Sequence, residues 1–194
     1  MKERAETKSL THMPKGLGEL TNLGTMNMFV LGGNNSGELN ELNGLNKLRG
    51  RLSIKNLKFC SPADLQMKAK FLQLKSGLQI LDLQWDNPFN HEPTIDVSDD
   101  DYERVMDCLQ PHSNLQEICI RRYKGVKLCN SLSSDSLGCL NTKSLDGCER
   151  LQHLPRLDQF PHLRHLYLRD LPNVKYIGND DSVPSSTFFP PLRN

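Results

Sequence analysis

The sequence predicts an α/β solenoid, a stack of similar units that each contain one short strand and a returning segment. Two observations lead to this reading. Leucines recur as L-x-x-L-x-L, or a near variant, six times in 194 residues. The composition, 37% hydrophobic and 24% charged, is apolar-poor for a compact globule and suits an elongated protein with much surface. Within each copy the x-L-x-L-x core alternates apolar and polar positions, which is the period of a half-buried strand rather than a helix.

The copies run in order through Leu20–Val30, Leu45–Leu57, Leu78–Trp85, Leu115–Tyr123, Leu137–Pro155 and Leu163–Leu171. Their strand anchors are Met26, Leu52, Leu81, Ile118, Lys143 and Leu166, separated by 26, 29, 37, 25 and 23 residues. Most of these steps match the period of a leucine-rich repeat, in which no unit buries its own leucines and neighbours must stack. The two longest steps imply insertions. Ser98 reads as the N-cap of a helix, with Asp99–Asp101 in the first turn and Tyr102, Val105, Met106 and Leu109 on one face. A shorter helix is expected from Asp64 to Leu74. Both would lie on the side opposite the strands. Leu81 and Leu166 hold the same place in their units and are expected to be equally buried.

The stretch Ser144–Pro155 sharpens the reading. Leu145, Cys148, Leu151 and Leu154 are spaced strictly by three, which a helix of period 3.6 would not sustain. Cys148 stands where a small side chain can be buried at the bend after a strand and meet backbone groups of the turn. Leu151 and Leu154 continue inward, and Pro155 stops any helix. None of the six cysteines forms a C-x-x-C pair, so free thiols, mostly buried, are expected.

Five stretches carry a family resemblance: LTHMPKGLGELTNLGTMNMFVLG from Leu10, SGELNELNGLNKLRGRLSIKNL from Ser36, LKSGLQILDLQW from Leu74, CLQPHSNLQEICIRRYKG from Cys108 and LDQFPHLRHLYLRDLPNVKYIG from Leu157. They resemble the leucine-rich region of plant intracellular immune receptors, the coiled-coil nucleotide-binding leucine-rich repeat disease-resistance proteins. The resemblance implies an irregular horseshoe, with short parallel strands on the concave face and helices or loops on the convex face. It covers residues 10–194 as an array of about six units, truncated at both ends, behind a poorly ordered segment 1–9. Lys143 departs from the family, which has an aliphatic residue at that anchor; either the lysine snorkels or the strand register shifts there.

The function implied is protein recognition: sensing of a pathogen effector or an altered host protein, and autoinhibition through the receptor's own upstream domains. On this reading the side chains between the buried strand positions carry it, namely Lys55, Asp82, Gln84, Arg121, Arg122, Asp146, Tyr167 and Arg169. The chain has no G-x-x-x-x-G-K-[ST], so nothing in it cradles a nucleotide phosphate, and the array reads as a fragment without the family's switch. No cofactor is expected. A net charge of +1 gives no field for nucleic acid. No apolar run is long enough for a membrane span, and the charged N-terminus lacks a signal peptide, which points to the cytoplasm.

Three clusters have plainer readings. His162 and His165 with Asp158 could ligate a metal, but they straddle the approach to a strand and read as surface residues. Asp96–Asp101 lacks the glycine and distant glutamate of a calcium loop. Arg121–Lys127, RRYKGVK, reads as a charged strand edge and loop, suited to an acidic protein partner before nucleic acid. No nucleophile and base occur in a recognisable setting, so an enzyme is disfavoured. An F-box type leucine-rich substrate adaptor, or an inactive receptor remnant, stands as the alternative; Glu149–Pro155 after Cys148 lacks the adaptor pattern of isoleucine, threonine and aspartate.

Overall fold

A computed structural model describes residues 10–33, 37–60, 71–86, 99–128, 132, 137–154 and 157–177. The strands are β1 (Met28–Val30), β2 (Arg49–Lys55), β3 (Gly77–Gln84), β4 (Glu117–Arg121), β5 (Thr142–Asp146), β6 (His153–Leu154), β7 (His165–Arg169) and β8 (Tyr176–Ile177). Six of them form one sheet in the order β1-β2-β3-β4-β5-β7. Every pairing in it is parallel. Each unit therefore hydrogen-bonds only to the units before and after it, as a solenoid requires. A second ladder, β6 with β8, joins the return segments of the last units, and Lys127 bridges to His153 beside it.

The register confirms most of the repeat alignment. Leu81, Ile118, Lys143 and Leu166 stand side by side across β3, β4, β5 and β7, and Leu52 pairs with Leu81. The first anchor is a correction. Met28 pairs with Ser53 and Phe29 with Ile54, so Asn27 and not Met26 stands opposite Leu52. The bulky Phe29 is fully buried and sets this register, leaving Met26 half-buried against the core. A slip of one residue exchanges the two faces of a strand, and one large apolar residue decides it here.

The core lies along one face of the sheet. Leu52, Ile54, Leu81, Leu83, Ile118, Ile120 and Leu145 point into it from the strands, and Leu42, Leu45, Leu72, Leu109, Leu140 and Leu151 meet them from the return segments. The helix α1 (Asp99–Cys108) fills the long step between β3 and β4. Its Tyr102, Val105 and Met106, with Leu109 just beyond, are buried on one face as the spacing predicts. Ser98 lies outside the described residues, as do Asp64–Lys70 of the second expected helix, Cys129, Pro155 and segment 1–9. Phe71–Leu74 is a turn rather than a helix end, and Phe71 and Leu72 are buried in it.

The strands β1, β3, β4 and β5 end in the same device. Leu31 N donates to Lys55 O, Trp85 N to Arg121 O, Arg122 N to Asp146 O and Gly147 N to Arg169 O, at 2.8–3.0 Å. Met13 N continues the series to Val30 O at 2.9 Å. At this bend Asn56, Arg122, Gly147 and Asp170 take positive φ, the left-handed conformation that turns the chain sharply off the sheet.

Two anchors differ from expectation. Lys143 neither snorkels nor shifts the register. It is 1% exposed, its Nζ donates to Leu132 O at 3.2 Å, and the ammonium lies 4.5 Å from the centre of the Phe160 ring. A buried ammonium is tolerated because a carbonyl and a π-face replace part of its hydration. Leu166 is 36% exposed, against 0% for Leu81. Its strand β7 is the last of the sheet and has a described neighbour on one side only.

Candidate protein-binding face

Side chains alternate along each strand, so the residues between the core positions line the other face of the sheet, the expected concave face. Three rows cross it. Ile80, Glu117, Thr142 and His165 form one; Ser53, Asp82, Cys119, Ser144 and Tyr167 form the next; Gln84, Arg121, Asp146 and Arg169 form the last, at the strand ends.

Four of the residues expected here are brought together as a ladder of alternating charge. Arg121 Nε donates to Asp82 Oδ1 at 3.1 Å, and Arg121 Nη1 lies 4.0 Å from Asp146 Oδ2. Arg169 holds Asp146 in a fork, Nε to Oδ1 at 2.8 Å and Nη2 to Oδ2 at 2.7 Å. Such paired bonds fix both planes. The Arg169 hydrogen bond holds the Asp146 carboxyl below its usual range, against the opposing effect of partial burial, and the charges of Arg169, Arg121 and Arg122 add to it. Arg169 itself remains 73% exposed.

The others stand apart from the ladder. Tyr167 is 57% exposed and stacks with His165, ring centres 6.4 Å apart. Gln84 turns back to its own strand end, donating to Asp86 O at 2.9 Å. Lys55 closes β2 half-buried. Arg122 lies one residue past β4, in the left-handed bend, so it belongs to the rim and not to the strand row. Glu117, Cys119, Thr142 and Ser144 share the face and were readable from strict alternation. Cys119 is 6% exposed and its thiol donates to Glu117 Oε1 at 3.6 Å. Burial first, with the charges of Asp82 and Glu117, pushes its pKa up to about 11.

The bend after β5 places Cys148 as the sequence implies. It is fully buried and its thiol points at Ile120 O and Asp146 O, 3.8 and 3.7 Å away. Burial raises its pKa to about 11, so the group is an inert thiol. After β4, Tyr123 is buried, donates to Lys127 O at 2.9 Å and meets Trp85 edge-on. A Cβ at Gly125 would overlap the Tyr123 hydroxyl, which explains the glycine. Cys60, Cys108, Cys119, Cys139 and Cys148 are free thiols, and Cys139 is exposed. Among the described residues, no group of three His, Cys, Asp or Glu side chains could hold a metal ion. None of their helices is long and apolar enough to cross a membrane.

A stacked parallel sheet with one strand per leucine-bearing unit defines a repeat architecture, and the sequence matches one repeat family directly. The profile of the R13L1/DRL21 leucine-rich repeats covers residues 39–171. The chain belongs to this family. It is 32% identical over 186 residues to a protein named as disease resistance protein RGA1 of Solanum bulbocastanum, covering 95% of this chain and 18% of that one. It is 30% identical over 174 residues to the RGA4 protein of the same plant, covering 89% and 17%. A disease resistance RPP13-like protein 1 of Arabidopsis thaliana is 28% identical over 157 residues, covering 77% and 14%. The chain thus spans less than a fifth of the length of these relatives. No solved structure matches it. The R13L1/DRL21 array is therefore a leucine-rich repeat region of the plant disease-resistance type.

Proposed function

We propose that this array is the protein-recognition part of a plant innate immune receptor, acting in the cytoplasm. Its partner is a pathogen effector, a host protein that an effector alters, or the receptor's own upstream domains, which it holds inactive. The observation that supports this reading best is the open face of the sheet. Over four strands it carries an ordered ladder, Asp82–Arg121–Asp146–Arg169, ending beside an exposed aromatic pair. Held side chains lose little entropy on docking, and exposed Tyr and Arg are the residue types that anchor interfaces. The sequence lacks the G-x-x-x-x-G-K-[ST] motif that cradles a nucleotide phosphate, so the reading rests on protein recognition by the sheet face.

The ladder changes the choice of test. Glutamate at Arg121 would sit between Asp82 and Asp146 and repel both, so charge reversal there perturbs the fold as well as the surface. Tyr167→Ala with Arg169→Ala removes exposed groups instead. Expressed in leaf tissue within a receptor carrying this array, the pair should abolish the response to the cognate pathogen or release it without the pathogen, read as ion leakage. Unchanged responses at unchanged protein level would move the binding surface off these strands.

A further inference from the structure

The strand-end row of the open face runs Lys55, Gln84, Arg121, Asp146 and Arg169 on β2, β3, β4, β5 and β7. Cations therefore stand on every second strand. The acids that neutralise the arginines are recessed beneath them. The side chains of Asp82 and Asp146 are 14% and 20% exposed, those of Arg121 and Arg169 43% and 73%. The outer layer of this formally neutral ladder is thus cationic. Lys55, partly exposed, adds a charge of its own, since its side chain has no ion pair or hydrogen bond among the described residues. The other charges offset in number: Arg51 and Glu117 share one row, and Arg122 and Asp170 occupy equivalent bends, Asp170 at 3.8 Å from Arg169.

The net charge of +1 also conceals a separation. The helix α1 carries five acidic residues and one arginine, so the rest of the chain has a net +5. Its apolar side packs on the core, across the sheet from the open face. Salt screens surface charges beyond about 8 Å at physiological ionic strength, so the acids of α1 do not mask the cations of that face.

We infer that this face, read above as the docking surface, takes an extended segment of a protein partner with an acidic residue at every third position. Neighbouring strands lie about 4.8 Å apart, so cations on alternate strands are spaced by about 9.6 Å. A polyproline II segment has three residues per turn and rises about 3.1 Å per residue, which puts every third side chain on one side at intervals of about 9.3 Å. Such a segment crossing the strands sets its carboxylates opposite Lys55, Arg121 and Arg169. Its intervening residues lie opposite Gln84 and Asp146. A guanidinium has five N–H donors, and Arg121 and Arg169 spend one and two on the acids beneath them, leaving the rest for a carboxylate. Tyr167, exposed on the same strand as Arg169 and stacked with His165, adds the aromatic surface on which proline-rich segments dock. A nucleic acid strand fits worse, because its uninterrupted charge would press phosphate against Asp146.

The test is fluorescence anisotropy of a fluorescein-labelled peptide of four Glu-Pro-Pro repeats, titrated with the 194-residue protein. Saturable binding is expected. A Gln-Pro-Pro peptide should bind about tenfold more weakly, and a peptide of the same composition with its glutamates consecutive several-fold more weakly. Lys55→Gln with Arg169→Gln should weaken binding about tenfold, whereas Arg104→Gln, which removes a cation from α1, should leave it unchanged. Lys55→Gln alone should weaken it several-fold, and covers the case in which the double variant does not fold. Absence of saturation, equal binding of the Gln-Pro-Pro peptide, full retention in Lys55→Gln, or tighter binding of an oligothymidylate of equal charge would overturn the proposal. If the leaf response is lost with Tyr167→Ala and Arg169→Ala while the peptide fails to bind, the acidic segment is rejected and the docking face is kept.

Discussion

Leu81 and Leu166 occupy the same position in two units, yet they should respond differently to truncation. Leu81 is fully buried, flanked by Leu52 on one side and Ile118 on the other. Leu81→Ala removes its transfer free energy and leaves a cavity in a packed stack, a loss of about 2–5 kcal/mol. Leu166 is 36% exposed and has Lys143 as its only described strand neighbour in register. About two-thirds of a leucine transfer term of roughly 1.5–3 kcal/mol is at stake there, and an open edge leaves no enclosed cavity, so Leu166→Ala should cost about 1–2 kcal/mol. The assay is urea unfolding followed by both Trp85 fluorescence and circular dichroism, with slopes compared to confirm that the same surface is exposed. In a chain of this size each kcal/mol should also move Tm by about 2–4 °C. Equal losses from the two substitutions would refute the reasoning, because they would require β7 to be covered as fully as β3.

Cys148→Ser puts a hydroxyl in a site shaped for sulfur and should cost about 1–2 kcal/mol; in the native wild-type protein a thiol reagent should label Cys139 first and Cys119 and Cys148 last, and mass spectrometry should find six free thiols and no zinc. Asp146→Asn should destabilise more in the wild-type background than beside Arg169→Gln. Because the Asp146 carboxyl is depressed in the fold, that coupling should be present above its unfolded value near 3.8 and fade as pH falls further; a cycle with equal losses in both backgrounds would dismiss the ladder. Lys75 is fully buried, donates to Leu42 O at 2.7 Å, and burial lowers its pKa to about 8. Between pH 8 and its unfolded value of 10.5 the unfolded chain binds more protons, so this residue favours the fold increasingly as pH rises, by about 1 kcal/mol from pH 8 to 9. Cys119 and Cys148, raised from 9.0, act in the opposite sense over pH 9 to 11, so the measurement is the difference between wild type and Lys75→Met, which should shift by that amount and would stay flat if Lys75 titrates normally.

Much of the fold was legible because a strand declares its inward residues locally. Leu52, Leu81, Ile118 and Leu145 follow from period-2 alternation, and the buried face of α1 follows from the spacing of Tyr102, Val105, Met106 and Leu109. The position of Cys148 follows from its distance after a strand. The first register did not follow, because Met26, Asn27, Met28 and Phe29 contain apolar residues of both parities and only contact with Ile54 selects Phe29. Nor did the burial of Lys143, whose acceptable partners, Leu132 O and the Phe160 ring, come from the return segment before it and the turn after it. Arg122 reads as a strand residue in the sequence, and only the hydrogen bond to Asp146 O turns it into the bend.

What the sequence by itself determined is the repeating part of the protein: the units, their spacing, the inserted helix, the leucines that face inward and the family the array resembles. These rest on interactions within a few residues, which periodicity records. What only the tertiary structure decided is whatever lies between units. Asp82 meets Arg121 and Asp146 meets Arg169 across strands, Leu166 is exposed on a strand with a described neighbour on one side only, and Trp85 meets Tyr123 from the next unit edge-on. Stacking brings such groups together with a stagger set by each insertion, and no local pattern encodes which charges then become neighbours.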